Sequence, residues 1–248
     1  MGFASEASST KRDLGAPAIA PANINSIALY YRTLSDHLGP QHWWPARTPF
    51  EVIVGAILTQ NTSWTNVERA VSNLRRERLL TPLALERVPA ARLARLIRSS
   101  GYFRQKTKTL KAFVRFLRAE FSGSLARMFR TPTLELREKL LAVHGIGPET
   151  ADSILLYAGK KDVFVIDAYT KRIFSRHGVV SEGVPYEELR SKIEAALPRE
   201  VSRYNEFHAL LVQAGKNWCR PRDPRCSECP LQQFLPDAPG ATGLSEAR

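Results

Sequence analysis

The stretch Leu140–Tyr157, LLAVHGIGPETADSILLY, decides the fold that we predict for this chain. Apolar residues before position 144 and after position 150 recur at helical spacing, which predicts a helix on each side. Between them lies Gly145-Ile146-Gly147, whose glycines permit backbone angles that a side chain would exclude. Pro148 follows at a position where the first turn of a helix tolerates its missing N–H. The pattern therefore predicts two helices joined by a very tight turn.

The turn itself allows two interpretations. It exposes backbone N–H groups beside a helix N-terminus, which favours phosphate binding at Gly145, Ile146 and Gly147. It also fits an ordinary corner between two helices. A lone Gly-x-Gly pattern does not separate the two.

A carboxylate follows ten residues after this stretch. The apolar run Val163–Ile166 ends at Asp167, and a new helical pattern begins there. An aspartate in this place can be an N-cap or a catalytic group, and its position alone leaves both interpretations open.

Taken together, the motifs Leu-x-x-Val-x-Gly-Ile-Gly-x-x-Thr-Ala and Val-Ile-Asp-x-Tyr-x-x-Arg resemble those of the helix-hairpin-helix (HhH-GPD) DNA glycosylase superfamily, which includes endonuclease III. The resemblance extends from about Ile27 to Pro230. It implies an all-α fold with two helical lobes and a DNA-binding cleft between them. It also implies that the hairpin binds the backbone of double-stranded DNA and that Asp167 takes part in cleaving the glycosidic bond.

We expect one ordered domain between two tails. Residues 1–22 are rich in small residues without an apolar period, which predicts a disordered tail, and residues 236–248 are predicted to be flexible. The glycosylase-like domain is predicted at 23–235. Its helical barrel lobe is expected at about 45–140, and residues 23–44 plus 141–235 form the other lobe.

Charge and hydropathy limit which partners the chain can have. Its 248 residues carry a formal net charge of +12, and residues 71–130 hold 15 Lys and Arg against 3 Asp and Glu. This local excess favours a polyanion as partner, although solvated helix faces would give the same count. No apolar run is long enough to span a bilayer and no secretion signal opens the chain. We therefore expect a monomeric cytoplasmic protein, associated with the nucleoid in a prokaryote, without a membrane partner.

Two segments resemble the 3-methyladenine glycosylases within the superfamily. They are the tryptophan pair before Pro45 and the segment LTQNTSW that ends at Trp64. By this resemblance Trp43 and Trp64 sandwich the extruded base, and Lys216 lines the same pocket. Tryptophans in a core and a solvated lysine are the alternatives.

Further residues of these segments are candidates for contact with the duplex. Gln60 occupies the position of the residue that fills the gap left by the extruded base, or it is an ordinary amide satisfied by backbone. A segment of the form Gly-Tyr-x-x-x-Lys lies near DNA in relatives, so Lys106 and Lys108 could contact phosphates or could be solvated. A continuous helix is expected from Phe50 into Glu68, and another from Leu83 to Arg98.

The chemistry suggested by these residues is base release without strand cutting. Endonuclease III has a lysine two residues after the second hairpin glycine, whereas this chain has Glu149, and Schiff-base formation requires an amine. Adenine-mismatch relatives carry a glutamate in the segment that corresponds to 55–60, which has no carboxylate here. Alkylated purines are already cationic and tryptophan faces attract cations.

We therefore predict a base-excision-repair glycosylase that is monofunctional on alkylated purines such as 3-methyladenine. The alternatives are an oxidised-pyrimidine glycosylase and AP lyase that uses a different amine, and a non-catalytic DNA-binding module.

The three cysteines form one C-terminal motif. Cys219, Cys226 and Cys229 match the first three ligands of the iron–sulfur loop of endonuclease III. A [4Fe–4S] cluster ordinarily takes four thiolates, and the fourth position is Leu235. Zinc with an external ligand and a degenerate loop without metal are the alternatives. Because no cysteine precedes position 219, the pattern excludes a disulfide framework.

Overall fold

The computed structural model describes residues 26–41, 43–44 and 46–236, which contain helices and loops but no β-strand. The predicted all-α class is confirmed. The α-helices in this part of the chain are α1 Ser26–Leu38, α2 Pro49–Leu58, α3 Trp64–Arg76, α4 Pro82–Arg87, α5 Ala90–Leu96, α6 Phe103–Phe121, α7 Leu125–Arg130, α8 Thr133–Leu141, α9 Pro148–Ser153, α10 Ala168–Arg176, α11 Tyr186–Ala196 and α12 Val201–Asn217. A π-helical turn, Ile154–Ala158, continues α9, and short 3₁₀ turns lie at Arg98–Ser100, Cys226–Glu228 and Gln232–Phe234.

Local sequence fixes where several of these helices begin. Thr48, Thr81 and Ser124 each accept a hydrogen bond from the backbone N–H three residues ahead, which satisfies a free donor of the first turn. Pro49 and Pro82 then occupy the first helical positions, where a missing N–H costs little.

The continuous helix expected past Leu58 is wrong. α2 ends at Leu58 and α3 begins at Trp64. In the loop between them Asn61 has φ of 53°, a left-handed conformation that a right-handed helix does not contain. The break places Gln60 in a loop instead of a helix.

The second expected helix is also interrupted. α4 ends at Arg87 and α5 begins at Ala90, with Val88 and Pro89 between them. Pro89 has no N–H to donate and restricts the residue before it to extended angles, which Val88 adopts with ψ of 134°.

The helices pack in two groups that share α2. Helix α6 packs against α2, α4, α5 and α7, whereas α12 packs against α1, α10 and the π-helical turn. Helix α2 also packs against α9 and that turn, so the groups meet along it. The division into lobes at about 45–140 and 23–44 plus 141–235 stays a prediction.

The structure describes little of the two predicted tails. The predicted tail at 1–22 lies outside the described residues, as does the predicted tail at 236–248 apart from Pro236. Within the described ranges, every helix is too short or too polar to cross a bilayer.

Candidate active site

The hairpin turn between α8 and α9 requires glycine at position 145. Gly145 has φ of 82°, and a Cβ added to it would lie 2.0 Å from the hydroxyl oxygen of Thr109 on α6. The side chain of Ile146 is buried, and its N–H donates to the Val143 carbonyl at 3.0 Å. Among the described residues, the amides of Gly145 and Gly147 have no acceptor. These two amides are therefore available to a phosphate.

Gln60 ties the loop after α2 to this hairpin. Its amide nitrogen donates to the Gly145 carbonyl at 3.1 Å and to the Thr150 hydroxyl at 2.9 Å. One of the two acceptors of the Gln60 amide is therefore backbone, as the alternative interpretation expected, and the other is a side chain. To enter a duplex as a wedge, Gln60 would have to exchange both bonds for contacts with bases, and the wedge role stays a prediction.

Four of the predicted site residues line one open groove of about 920 Å³. The groove is bounded by the loop after α2, the start of α9, the start of α10 and the end of α12. Its lining includes Gln60, Gly147, Glu149, Asp167, Lys216 and Arg220. The arrangement brings together chain segments that are more than 150 residues apart, from Gln60 to Lys216.

A smaller cavity of about 290 Å³ adjoins the groove and contains the predicted base pocket. Trp43, Trp64, Lys216 and Asp167 all line it. The rings of Trp43 and Trp64 have centroids 6.0 Å apart at an angle of 45°, which is the separation of two aromatic rings in direct contact. One ring must therefore turn aside before a base can lie between them.

Lys216 is in contact with this aromatic wall. Its Nζ lies 5.5 Å from the centroid of the Trp43 ring, while the side chain remains exposed. The side chain is thus both exposed and in contact with Trp43, and its role in a base pocket stays a prediction. Lys216 is also an amine within the cavity, which bears on the question of strand cutting.

Of the two roles that the sequence left open for Asp167, the structure shows the N-cap, and the catalytic role stays a prediction. Asp167 is the N-cap of α10, where its Oδ1 accepts hydrogen bonds from the Thr170 N–H at 2.7 Å and the Thr170 hydroxyl at 2.9 Å. Its Oδ2 lies 3.5 Å from Nε2 of His208. Burial acts to raise the pKa of Asp167, but His208 and the Thr170 bonds outweigh it and lower the pKa. Oδ1 therefore caps the helix, whereas Oδ2 is the oxygen that remains for a catalytic role.

Glu149 is the second carboxyl group of the cavity. It lies on the first turn of α9, exposed to solvent at the mouth of the cavity. Desolvation within the cleft, followed by repulsion from Asp167, raises the pKa of Glu149 to about 7. The environment thus separates the two carboxyl groups, because it lowers the pKa of Asp167 and raises that of Glu149.

A buried polar network holds the hairpin against the segment that carries Asp167. Arg137 on α8 makes a two-point contact with Asp152 on α9, with distances of 2.7 and 3.1 Å. Tyr186 donates to Asp152 at 2.9 Å and accepts from the Ile166 N–H at 3.2 Å. Sequence reasoning missed this network, whose hydrogen-bonded pairs are 15 to 34 residues apart.

The prediction of a phosphate contact is wrong for Lys106. The side chain is buried, and its Nζ donates to the carbonyls of Leu58 at 2.8 Å and Ser100 at 2.6 Å. Burial lowers the pKa of Lys106 to about 8. The lysine instead anchors the end of α2 to the turn before α6, because it satisfies carbonyls that these elements leave free. Lys108 is exposed on α6, and its phosphate contact stays a prediction.

The cysteine loop does not form a complete metal site in the described residues. Cys219 is buried beside Arg176, which donates to its sulfur at 3.2 Å, and burial raises the pKa of Cys229 to about 11. Within the described part of the chain, no group of three or more His, Cys, Asp or Glu is arranged to hold a metal ion. Leu235 offers no donor at the fourth position. The donor set therefore falls short of a four-ligand cluster.

Comparison with known proteins gives relatives of one kind. Residues 54–199 match the model of the HhH-GPD superfamily of base excision DNA repair proteins. The chain is 48% identical over 206 residues to a Methanocaldococcus jannaschii protein named a putative DNA repair glycosylase, covering 82% of this chain and 93% of that one. It is 31% identical over 184 residues to endonuclease III of Thermotoga maritima, covering 74% and 81%.

Solved structures agree with this comparison. The fold is similar to the 3-methyladenine DNA glycosylase of H. pylori bound to 1,N6-ethenoadenine, with a TM-score of 0.68 and 27% identity, covering 79% of this chain and 98% of that one. It is also similar to endonuclease III in a non-covalent complex with DNA, with a TM-score of 0.74 and 21% identity, covering 86% and 94%. The second likeness concerns the fold alone.

Proposed function

We propose that this chain, which belongs to the HhH-GPD superfamily of base excision DNA repair proteins, releases alkylated purines such as 3-methyladenine from duplex DNA without cutting the strand. It is a DNA repair glycosylase by family. One observation carries the finer proposal: Asp167, whose Oδ2 is not bonded by Thr170, lines a cavity together with Trp43 and Trp64.

The proposed chemistry follows from the charges in this cavity. A methylated purine is a cation, and the tryptophan faces attract it. When the bond between base and sugar breaks, the electron pair leaves with the base, which becomes neutral, and positive charge develops on the sugar. Asp167 as a carboxylate stabilises that charge. Water then bonds to the sugar carbon, and its proton passes to Asp167.

The absence of strand cutting is proposed from Glu149, since a carboxyl group cannot form a Schiff base. The amine that could substitute for the missing lysine is Lys216, because its Nζ lies beside Trp43 in the same cavity. A lyase that uses Lys216 is therefore the specific form of the alternative function.

The function is tested with duplexes that contain chemically methylated purines, 1,N6-ethenoadenine or an oxidised pyrimidine. We expect release of methylated purines, strand breaks only after alkali, and no trapping on DNA by borohydride. Trapping of the wild-type protein that is lost in Lys216→Gln would establish the lyase alternative instead. Binding to all duplexes without release of any base would leave a DNA-binding module.

The iron–sulfur cluster is a prediction from the cysteine spacing, and the three thiols lack a fourth partner. If the loop binds a cluster, anaerobically purified protein will be brown and contain iron and sulfide, and it will lose both in air because one iron lacks a thiolate. Leu235→Cys should make the cluster more durable without changing which base is released. Colourless, folded and active protein without iron or zinc would show that the loop survives without metal.

The proposed function also implies a cellular location, an oligomeric state and a DNA partner. We infer a cytoplasmic monomer that acts on double-stranded DNA, at the nucleoid in a prokaryote. The surplus of basic residues at 71–130 supports a polyanionic partner. Two of these basic residues are bonded within the protein instead. Lys111 donates to the carbonyls of Leu85 and Glu86 at 2.8 Å each, and the buried Lys106 donates to the carbonyl of Leu58.

A further inference from the structure

A buried histidine on α12 faces the carboxylate of the site. His208 lines the same cavity as Trp43 and Asp167. Its Nε2 is buried and has no hydrogen-bond partner among the described residues. Only two other buried side-chain polar atoms share this condition in those residues, and one of them, Nε1 of Trp43, lines the same cavity. Buried polar atoms without a partner indicate a place that a water or ligand fills.

The other ring nitrogen of His208 determines which nitrogen carries the proton. Nδ1 is hydrogen-bonded to the hydroxyl of Tyr157, and burial raises the pKa of Tyr157 well above its ordinary value, so the hydroxyl keeps its proton. If Tyr157 donates to Nδ1, the neutral ring carries its hydrogen on Nε2. The opposite tautomer would leave the buried phenol proton without an acceptor and turn the Nε2 lone pair toward a carboxylate. Between the two neutral tautomers, both penalties favour the Nε2–H form, and a protonated ring also carries a hydrogen on Nε2.

The separation between Nε2 of His208 and Asp167 leaves Nε2 unsatisfied unless a third atom joins them. Nε2 lies 3.5 Å from Oδ2, which is too long for a good N–H···O bond. A water at about 2.8 Å from each atom completes a triangle on the cavity side. Such a water accepts from Nε2–H and donates to Oδ2, and a lone pair remains free. Oδ1 cannot replace Oδ2 here, because Thr170 occupies it with two hydrogen bonds.

We propose that Nε2 of His208 and Oδ2 of Asp167 together hold the water that attacks the sugar, with His208 as a positioning residue. The proposal rests on the glycosylase function proposed above. In the step, the water oxygen bonds to the sugar carbon, the bond between sugar and base breaks with its electron pair on the base, and one water proton passes to Oδ2. His208 keeps its proton throughout and fixes the direction of the water lone pair.

The variants His208→Gln, His208→Asn and His208→Phe separate this role from packing. A glutamine amide reaches the place of Nε2, an asparagine amide reaches that of Nδ1, and phenylalanine fills the space without a donor. We expect His208→Phe and His208→Asn to lower the single-turnover rate of base release by about 10²-fold. His208→Gln should retain the rate within about tenfold, and binding of damaged DNA and the melting temperature should change little in any variant whose fold is intact.

A second measurement does not require activity. A crystal structure of the wild-type protein should show an ordered water within hydrogen-bond distance of both atoms, and ¹⁵N NMR should show the His208 proton on Nε2. Tyr157→Phe should allow the other tautomer to appear and slow base release without removing the imidazole.

Three results would overturn the proposal: full activity in His208→Phe, no advantage of glutamine over asparagine, or no water at this place in the wild type. If the wild-type protein releases none of the tested bases, the proposed function fails, while the ordered water and the tautomer still decide what His208 holds.

Discussion

Asp167→Asn is expected to lower the single-turnover rate of base release by about 10³-fold while leaving binding of damaged DNA largely intact. The reason lies in the different tasks of the two oxygens. Asparagine is as good an N-cap as aspartate, so its carbonyl can still accept from Thr170. The amide carries no negative charge to stabilise the developing cation of the sugar and no base for the proton of the water.

A matched variant separates the cap from the chemistry. Asp167→Ala loses both functions of the side chain, so it should be as inactive as the asparagine variant and also less stable by about 1 kcal/mol. Measurements of base release and thermal unfolding on both variants check this. Full activity in Asp167→Asn would remove Asp167 from the mechanism.

The same carboxyl group predicts a pH dependence of stability with a definite sign. The pKa of Asp167 is lowered by folding from its ordinary value of 3.8. The stability that its ionised form contributes is therefore fully present above pH 3.8 and is lost as the pH falls through the lower, folded value. The difference in stability between the wild type and Asp167→Asn should shrink in the same acid range.

Gly145→Ala is expected to have the largest effect on stability and DNA binding among the hairpin variants. The left-handed conformation costs a non-glycine residue about 1–3 kcal/mol, and the overlap of the new Cβ with Thr109, at 2.0 Å, adds an overpacking cost of about 1–3 kcal/mol. For a chain of this size, the melting temperature should fall by roughly 5–20 °C. DNA affinity should fall as well, because the displaced turn no longer presents its amides.

Controls for this variant come from glycines of the same chain. Gly147→Ala has open space around its Cβ and an ordinary φ of −97°, so its melting temperature should stay close to that of the wild type. Gly123→Ala has φ of 77° but also open space, and it isolates the conformational cost. Thr109→Ala should restore part of the stability lost in Gly145→Ala. An unchanged melting temperature in Gly145→Ala itself would contradict the packing described for the turn.

The sequence predicts those elements that depend only on residues adjacent to one another in the chain. The glycine turn is one of these, because φ of 82° at Gly145 is a property of two or three residues. The position of Asp167 is another, since a carboxylate after an apolar run opens a helix. The break between α4 and α5 is also local, because Pro89 marks it, and the single helix expected from Leu83 to Arg98 contradicts that signal.

Other features depend on partners that are distant in the chain. His208 lies 41 residues after Asp167 on a largely apolar helix, and its spacing indicates burial without indicating a partner. Lys106 belongs to a basic segment, and nothing local distinguishes a lysine that bonds two carbonyls from one that meets solvent. The contact between Trp43 and Trp64 is likewise a result of how α3 and the segment before α2 meet. These features follow from tertiary packing, which a periodicity argument does not contain.

The position of α1 has a consequence for how the protein is made. Ile27, Tyr30 and Leu34 on α1 are fully buried, and the helix packs against α11 and α12 near the other end of the chain. A ribosome that adds about 5–20 residues per second needs roughly 8–30 s to proceed from α1 to α12. Residues 49–141, which hold α2 to α8, emerge within that interval and can begin to pack with one another. The apolar side of α1 stays unpacked in the growing chain during that time, so this early helix is among the last to be buried.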